Sequence, residues 1–231
     1  LHRVDRRQRQ MCIRDRVKFD LEFRDDDKKF HQVLDLTPLD FYHQYFDTNF
    51  NDYVVVTNAP DHDYQRVYSM PSQDSVVGGV PIKFVNVPFA DLQEAAIKQL
   101  KAGETVWVGN DVLQQMDRKR GLMDAKLFHR EELLGVDFAM DKKDRLESRQ
   151  AMVSHAMTLT GFDLVNDQPT RWKIENSWGK DNGDNGYFVM TQDWFEEYTY
   201  EAVINKKYLS KDLQDLAAQQ PIELTAWDSL Q

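Results

Sequence analysis

Apolar and polar positions alternate over residues 17–23, VKFDLEF, the pattern of a half-buried strand, and a charged turn over residues 24–29 follows. Thr37 and Pro38 then predict a helix start. Thr37 can cap it, Pro38 suits its first position, Asp40 falls in the first turn, and Leu39, Tyr42, Tyr45 and Phe46 recur near helical spacing. The β-branched run DYVVVTN (52–58) reads as a buried strand, and PIKFVNVP (81–88) as another after the turn at Gly78 and Gly79. A second helix is expected from Asp91, with Glu94 at the capping-box position, an apolar face of Leu92, Ala95, Ala96 and Leu100, and Gly103 as a left-handed cap.

ETVWVGND (104–111) reads as a strand, and residues 112–150 as a charged, helix-prone insertion. Two short runs, 156–162 and 171–176, then suit adjacent strands separated by the polar turn from Asn166 to Pro169. Gly183 and Gly186 punctuate a further turn before a strand at 187–190. Thr191 and Asp193 start a helix carrying Trp194, Phe195 and Tyr198, and beyond Tyr208 come a short amphipathic segment and a tail, QQPIELTAWDSLQ, with no core pattern.

Composition narrows the class. At 231 residues the chain can form one large domain or two small ones, and 41% hydrophobic with 12% aromatic residues is a globular content. No apolar run approaches the roughly 20 residues of a membrane span, and the N-terminus lacks a signal-peptide core. The net charge of −10 is uneven: residues 1–16 carry six Arg against two Asp, which leaves −14 on residues 17–231. So acidic a body argues against nucleic acid and anionic membranes as partners. The single cysteine, Cys12, excludes an intrachain disulfide framework and thiolate-rich zinc sites, and points to a reducing cytoplasm. No metal or organic cofactor is implied. Residues 1–16 have no periodic pattern and read as foreign to the domain; their MCIRDR string resembles a translated sequencing adapter.

Chemistry concentrates between residues 151 and 190. His155 heads one short apolar run, and 21 positions later Asn176 ends another and is followed by Ser177, Trp178 and Gly179. A histidine can act as acid and base while an asparagine carbonyl holds its ring without adding a full charge. Trp178 can shield such a pair from water. Taken singly, His155 reads as a structural histidine and Asn176 as a turn residue; the histidine of the 112–150 insertion, His129, has no mechanism attached.

The S-H-A and N-S-W-G strings together resemble the papain-like cysteine peptidases. FRDDDKKF (23–30), DLTP (35–38), VGGVPIKFVNVP (77–88), AAIKQLKAGETVW (95–107), DRKRG (117–121), GVDFAM (135–140) and INKKYL (204–209) are similar to the bleomycin hydrolase and bacterial aminopeptidase C family, from about Val17 to near the end. The resemblance implies the C-terminal part of the papain-like α+β fold, with the antiparallel barrel-like half of the cleft, and implies His155 as the catalytic histidine and Asn176 as its orienting partner. It implies peptide substrates and a homo-oligomer, hexameric in that family. DNA binding, known in some relatives, is disfavoured by the acidic body.

The family's nucleophilic cysteine opens a helix, follows a glutamine closely and precedes a tryptophan. Cys12, flanked by Gln10, Met11, Ile13 and Arg14, lacks that setting. The expectation is therefore a C-terminal portion of a cysteine aminopeptidase whose nucleophile lies outside this chain, inactive alone: a segment at 1–16 foreign to it, the peptidase part over 17–208, and a C-terminal arm over 209–231. Trp227-Asp228 resembles the family's arm, which restricts cleavage to free N-termini, while Ser229-Leu230-Gln231 departs from it. An endopeptidase-like member or a non-catalytic oligomerisation fragment are the alternatives.

Overall fold

The computed structural model describes residues 18–46 and 48–230. Residues 1–16, Cys12 among them, lie outside the described residues. The chain divides into two compact units between Phe50 and Asn51.

In the first unit, β1 (Phe19–Arg24) and β2 (Phe30–Leu36) pair antiparallel. Helix α1 (Pro38–Tyr45) begins where the capping signals put it, with Thr37 and Asp40 forming a reciprocal capping box. Phe41 meets Phe19 edge to face at 5.5 Å between ring centres.

The second unit is built on a mixed sheet. Its strands are β3 (Tyr53–Thr57), β4 (Arg66–Ser69), β5 (Lys83–Asn86), β6 (Val106–Asn110), β7 (Met116–Asp117), β8 (Leu122–Met123), β9 (His155–Val165), β10 (Gln168–Glu175), β11 (Tyr187–Thr191), β12 (Thr199–Asn205) and β13 (Ile222–Glu223). Among the described residues these eleven run in the order β13-β4-β5-β3-β12-β6-β9-β10-β11-β8-β7. The middle of the sheet, from β3 through β12, β6, β9 and β10 to β11, is antiparallel throughout. Parallel pairs occur between β13 and β4, β3 and β5, and β11 and β8.

Helix α2 (Phe89–Lys101) packs on β12, β9 and β6 through Leu92, Ala95 and Ala96, the face its spacing predicts. It starts two residues before the expected Asp91: Pro88 takes the cap position and the Asp91 amide already bonds to the Pro88 carbonyl at 3.0 Å. Asp91 therefore lies within the first turn, where its charge favours the helix dipole. Gly103 has φ +84°, as the left-handed position after a helix requires.

The 112–150 insertion is less helical than its composition suggests. Besides β7 and β8 it holds only α3 (Arg130–Leu134) and α4 (Lys142–Glu147) among the described residues. Tertiary bonds fasten it: Lys142 Nζ donates to Asn58 Oδ1 at 2.8 Å and to the carbonyls of Glu196 and Thr199 at 2.7 and 2.6 Å. Those carbonyls sit at the end of α5 (Gln192–Tyr198), which Thr191 caps as predicted. Helix α6 (Lys211–Ala217), capped by Ser210, completes the set.

Strands β9 and β10 form a hairpin whose two-residue turn, Asn166-Asp167, has φ +52° and +62°. That left-handed pair matches the twist of the flanking strands. Met157, Leu159, Trp172 and Ile174 project from it into the main core beside Val106, Val108 and Phe188. Each side chain of this size contributes about 1.5–3 kcal/mol on burial, so the hairpin is a rigid platform for what lies at its open end.

Candidate active site

The open end of the hairpin carries both residues singled out in the sequence. His155 is the first residue of β9 and pairs with Asn110 on β6. On the neighbouring strand β10 ends at Glu175, opposite Thr158 of β9, and Asn176 follows immediately. Pairing of the two strands therefore brings the histidine and the asparagine to one end of the sheet.

Asn176 is 9% exposed. Its backbone N–H and its Nδ2 both donate to the Gly186 carbonyl, at 3.1 and 2.8 Å, while its Oδ1 accepts from the Trp178 N–H at 2.7 Å. One side chain thus closes the loop between β10 and β11. Gly183 makes the tightest approach in that loop: its φ is +64°, and a Cβ there would lie 2.4 Å from the Tyr187 carbonyl oxygen.

This loop aims Trp178 at His155. The two rings stack with centres 4.5 Å apart and planes 22° from parallel. Behind the indole, Phe188 packs edge on at 6.0 Å. Trp178 is therefore joined to both candidates, through its ring to His155 and through its amide to Asn176. Among the described residues no hydrogen bond runs directly from His155 to Asn176. Among the described residues the His155 Nε2 is buried without a partner, whereas Asn176 Oδ1 has accepted one bond and can accept a second.

Burial lowers the His155 pKa below the ordinary imidazole value, and the nearby Arg118 cation lowers it further. Both effects favour the neutral ring, the form able to take a proton. A depression lined by Trp107, Ala156, Met157, Thr158, Glu175, Asn176 and Ser177 adjoins the asparagine. Among the described residues there is no group of three or more His, Cys, Asp or Glu side chains arranged to hold a metal ion. His129 lies exposed, 3.1 Å from Glu132, away from this constellation of contacts.

One participant escaped the sequence reading. Arg118, in the DRKRG string, stands with its guanidinium carbon 4.4 Å from the Trp178 ring centre. Nothing in its local sequence marks it, because the contact spans 60 positions of the chain.

The architecture and the hairpin-end constellation define a papain-like cysteine peptidase fold. The model of the Peptidase C1-like family matches residues 11–231, and the chain belongs to that family. It is 53% identical over 212 residues to Aminopeptidase G of Lactobacillus delbrueckii subsp. lactis, covering 92% of this chain and 48% of that protein. It is likewise 53% identical over 214 residues to Aminopeptidase E of Lactobacillus helveticus, covering 92% of this chain and 49% of the relative. The crystal structure of PepW from Lactobacillus rhamnosis HN001 superposes with a TM-score of 0.89 at 43% identity, over 93% of this chain and 49% of that one. The α+β papain-like expectation holds. The chain spans about half the length of these relatives.

Proposed function

We propose that this chain is the C-terminal portion of a cysteine aminopeptidase, supplying the histidine and asparagine of its active site while the nucleophilic cysteine comes from a preceding region. The observation that carries this reading is the Trp178 bridge: its ring lies on His155 and its N–H bonds Asn176 Oδ1. A thiolate brought to His155 would attack the peptide carbonyl, and the imidazolium would then protonate the leaving amine. Asn176 would accept from the ring atom left without a partner, Nε2, and so fix the imidazole plane. Trp178 would exclude water from that bond and so strengthen it. Cys12 is not cast as the nucleophile, since its flanking residues lack the glutamine, tryptophan and helix signals that the role needs.

Peptide substrates follow from the same chemistry, and the relatives' names support a preference for free N-termini. The 209–231 segment would be the arm that imposes it. A cytoplasmic setting rests on cysteine usage, and a hexamer on family resemblance.

The test uses aminoacyl fluorogenic substrates. The 231-residue chain alone should give no turnover that a thiol alkylator can block. Expressed in continuous frame with the preceding half, it should hydrolyse them, and N-blocked peptides should be cut far more slowly than free ones. Alkylator-sensitive turnover by the isolated chain would overturn the division of the site. Equal rates on blocked and free peptides would favour an endopeptidase-like enzyme.

A further inference from the structure

Arg118 belongs to a turn that is built against the Asn176–Gly186 loop. Asp117 closes this turn on itself: its carboxylate accepts from the Arg120 N–H at 3.0 Å and its carbonyl from the Gly121 N–H at 2.9 Å. The Lys119 carbonyl accepts from the Gly183 N–H at 3.3 Å, and the Gly121 carbonyl from the Val189 N–H at 2.8 Å. Gly121, with φ +70°, approaches so closely that a Cβ would lie 2.7 Å from the Gly183 Cα. The backbone of the turn is thereby fixed relative to Trp178.

From this turn the Arg118 side chain makes two contacts with one outcome. Its guanidinium covers the indole of Trp178 at 4.4 Å. Its Nε donates to Asn182 Oδ1 at 2.9 Å, and Asn182 Nδ2 donates to the Trp178 carbonyl at 2.8 Å. Trp178 is therefore held by its ring and by its backbone, and it presents its ring to His155 at 4.5 Å. A planar cation suits this position, because it can stack on the ring and hydrogen-bond at its edge together.

We infer that Arg118 is a positioning residue for His155: stacked on Trp178 and tied to its backbone through Asn182, it holds the indole against the imidazole and so sets the orientation of the ring that hands a proton to the leaving amine. This rests on the reading of His155 as the acid–base group. Trp178, which stacks on the ring, and Asn110, which pairs with the His155 backbone, are uncharged. Asp111, next along from Asn110, accepts from the Leu113 N–H at 3.2 Å and from the Ser154 hydroxyl at 3.5 Å, and among the described residues Arg118 is the charged group that acts on the ring.

The test needs no catalysis, so it is separable from the peptidase reading. Imidazole NMR of the 231-residue chain, with His155 assigned from His155→Gln, reports both the ring-current displacement of its protons and its titration. In Arg118→Met the displacement should shrink and the His155 pKa should rise by roughly a few tenths of a unit, the size expected for a screened, exposed charge. Arg118→Lys should keep the low pKa and lose part of the displacement, since the charge stays while the flat stack and the Asn182 bond go. An unchanged His155 in both variants would overturn the inference. If Arg118→Met does not fold, an unchanged ring-current displacement in Arg118→Lys overturns it alone. Loss of turnover in His155→Gln of the complete enzyme tests the peptidase reading by itself.

Discussion

Two histidines in the second unit, both partly enclosed, have their pKa values shifted in opposite directions. His155 stacks on Trp178, leaves Nε2 without a partner, and has its pKa lowered by burial and then by Arg118. His62 is set between two carboxylates. Its Nδ1 lies 3.0 Å from Asp61 Oδ1, in ion-pair contact but off the line of a hydrogen bond, and its Nε2 bonds the Asp228 carboxylate at 3.2 Å. Asp61 raises the His62 pKa against the opposing cost of burial, and Asp228 adds to the effect. The partners, rather than the degree of enclosure, decide the sign.

The two settings correspond to two uses of an imidazole. A ring kept neutral and short of one hydrogen bond can take up and hand on a proton. A ring set between two aspartates, which favour its charged form, is a fastener, and here it fastens the end of the chain. Asp228 belongs to the last described residues. Ser229 bonds Asp61, Leu230 is buried beside Ala59, Tyr68 and Phe84, and β13 pairs with β4. Residues 222–230 are thus anchored by a strand pairing, a buried side chain and an ion pair together.

The largest expected effect separates the two rings by activity. In the complete enzyme His155→Gln should lower kcat/KM by roughly 10²- to 10⁴-fold, the usual worth of a general acid–base group, whereas His62→Gln should leave the chemical step nearly intact. Comparable losses in both would erase the distinction. Next, stability should rank them the other way. His62→Gln leaves Asp61, whose side chain is only 6% exposed, without its cation, and should cost about 1–3 kcal/mol in urea unfolding. His155→Gln removes an already unpartnered group and should cost less.

The pH dependence gives a finer contrast. The stabilisation from His62 is fully present below about pH 6.5 and is lost as pH rises through its raised folded-state pKa. For His155, stability falls as pH drops below about 6.5 toward its lowered pKa, because the unfolded ring takes up a proton that the folded one resists. Thermal unfolding from pH 5 to 9 should therefore show the penalty of His62→Gln shrinking at high pH, and His155→Gln removing part of the acid-side loss. Parallel curves for the two variants would refute the opposed titrations. The smallest effect concerns the anchor: Asp228→Asn weakens only the Nε2 side of the clasp and should cost about 0.5–1.5 kcal/mol.

Much of the frame was legible in the chain itself, for local reasons. The Thr37–Asp40 capping box, the Thr191 cap, Gly103 after α2 and the Asn166-Asp167 turn are each satisfied within a few residues, so sequence neighbours suffice to announce them. The same holds for β9 and β10, whose apolar runs are long enough to read. Strand β12 escaped because it follows α5 without a turn signal, and only its pairing with β3 and β6 makes it a central strand. Leu230 carries no pattern either, and its burial depends on a surface formed by residues 59–84, 146–151 and 200.

The sequence by itself determined the hairpin, because strand periodicity is written locally, and through the motifs it shares with its family it pointed to His155 and Asn176. Only the tertiary structure decided how each would behave. Asn176 is committed to the Gly186 and Trp178 backbone, His155 is left with a free ring nitrogen beneath an indole, Arg118 reaches that indole from a distant turn, and His62 is locked by a carboxylate 166 positions away. Charge, burial and hydrogen bonding act through space, and the contacts that set the chemistry of these side chains join positions far apart in the chain.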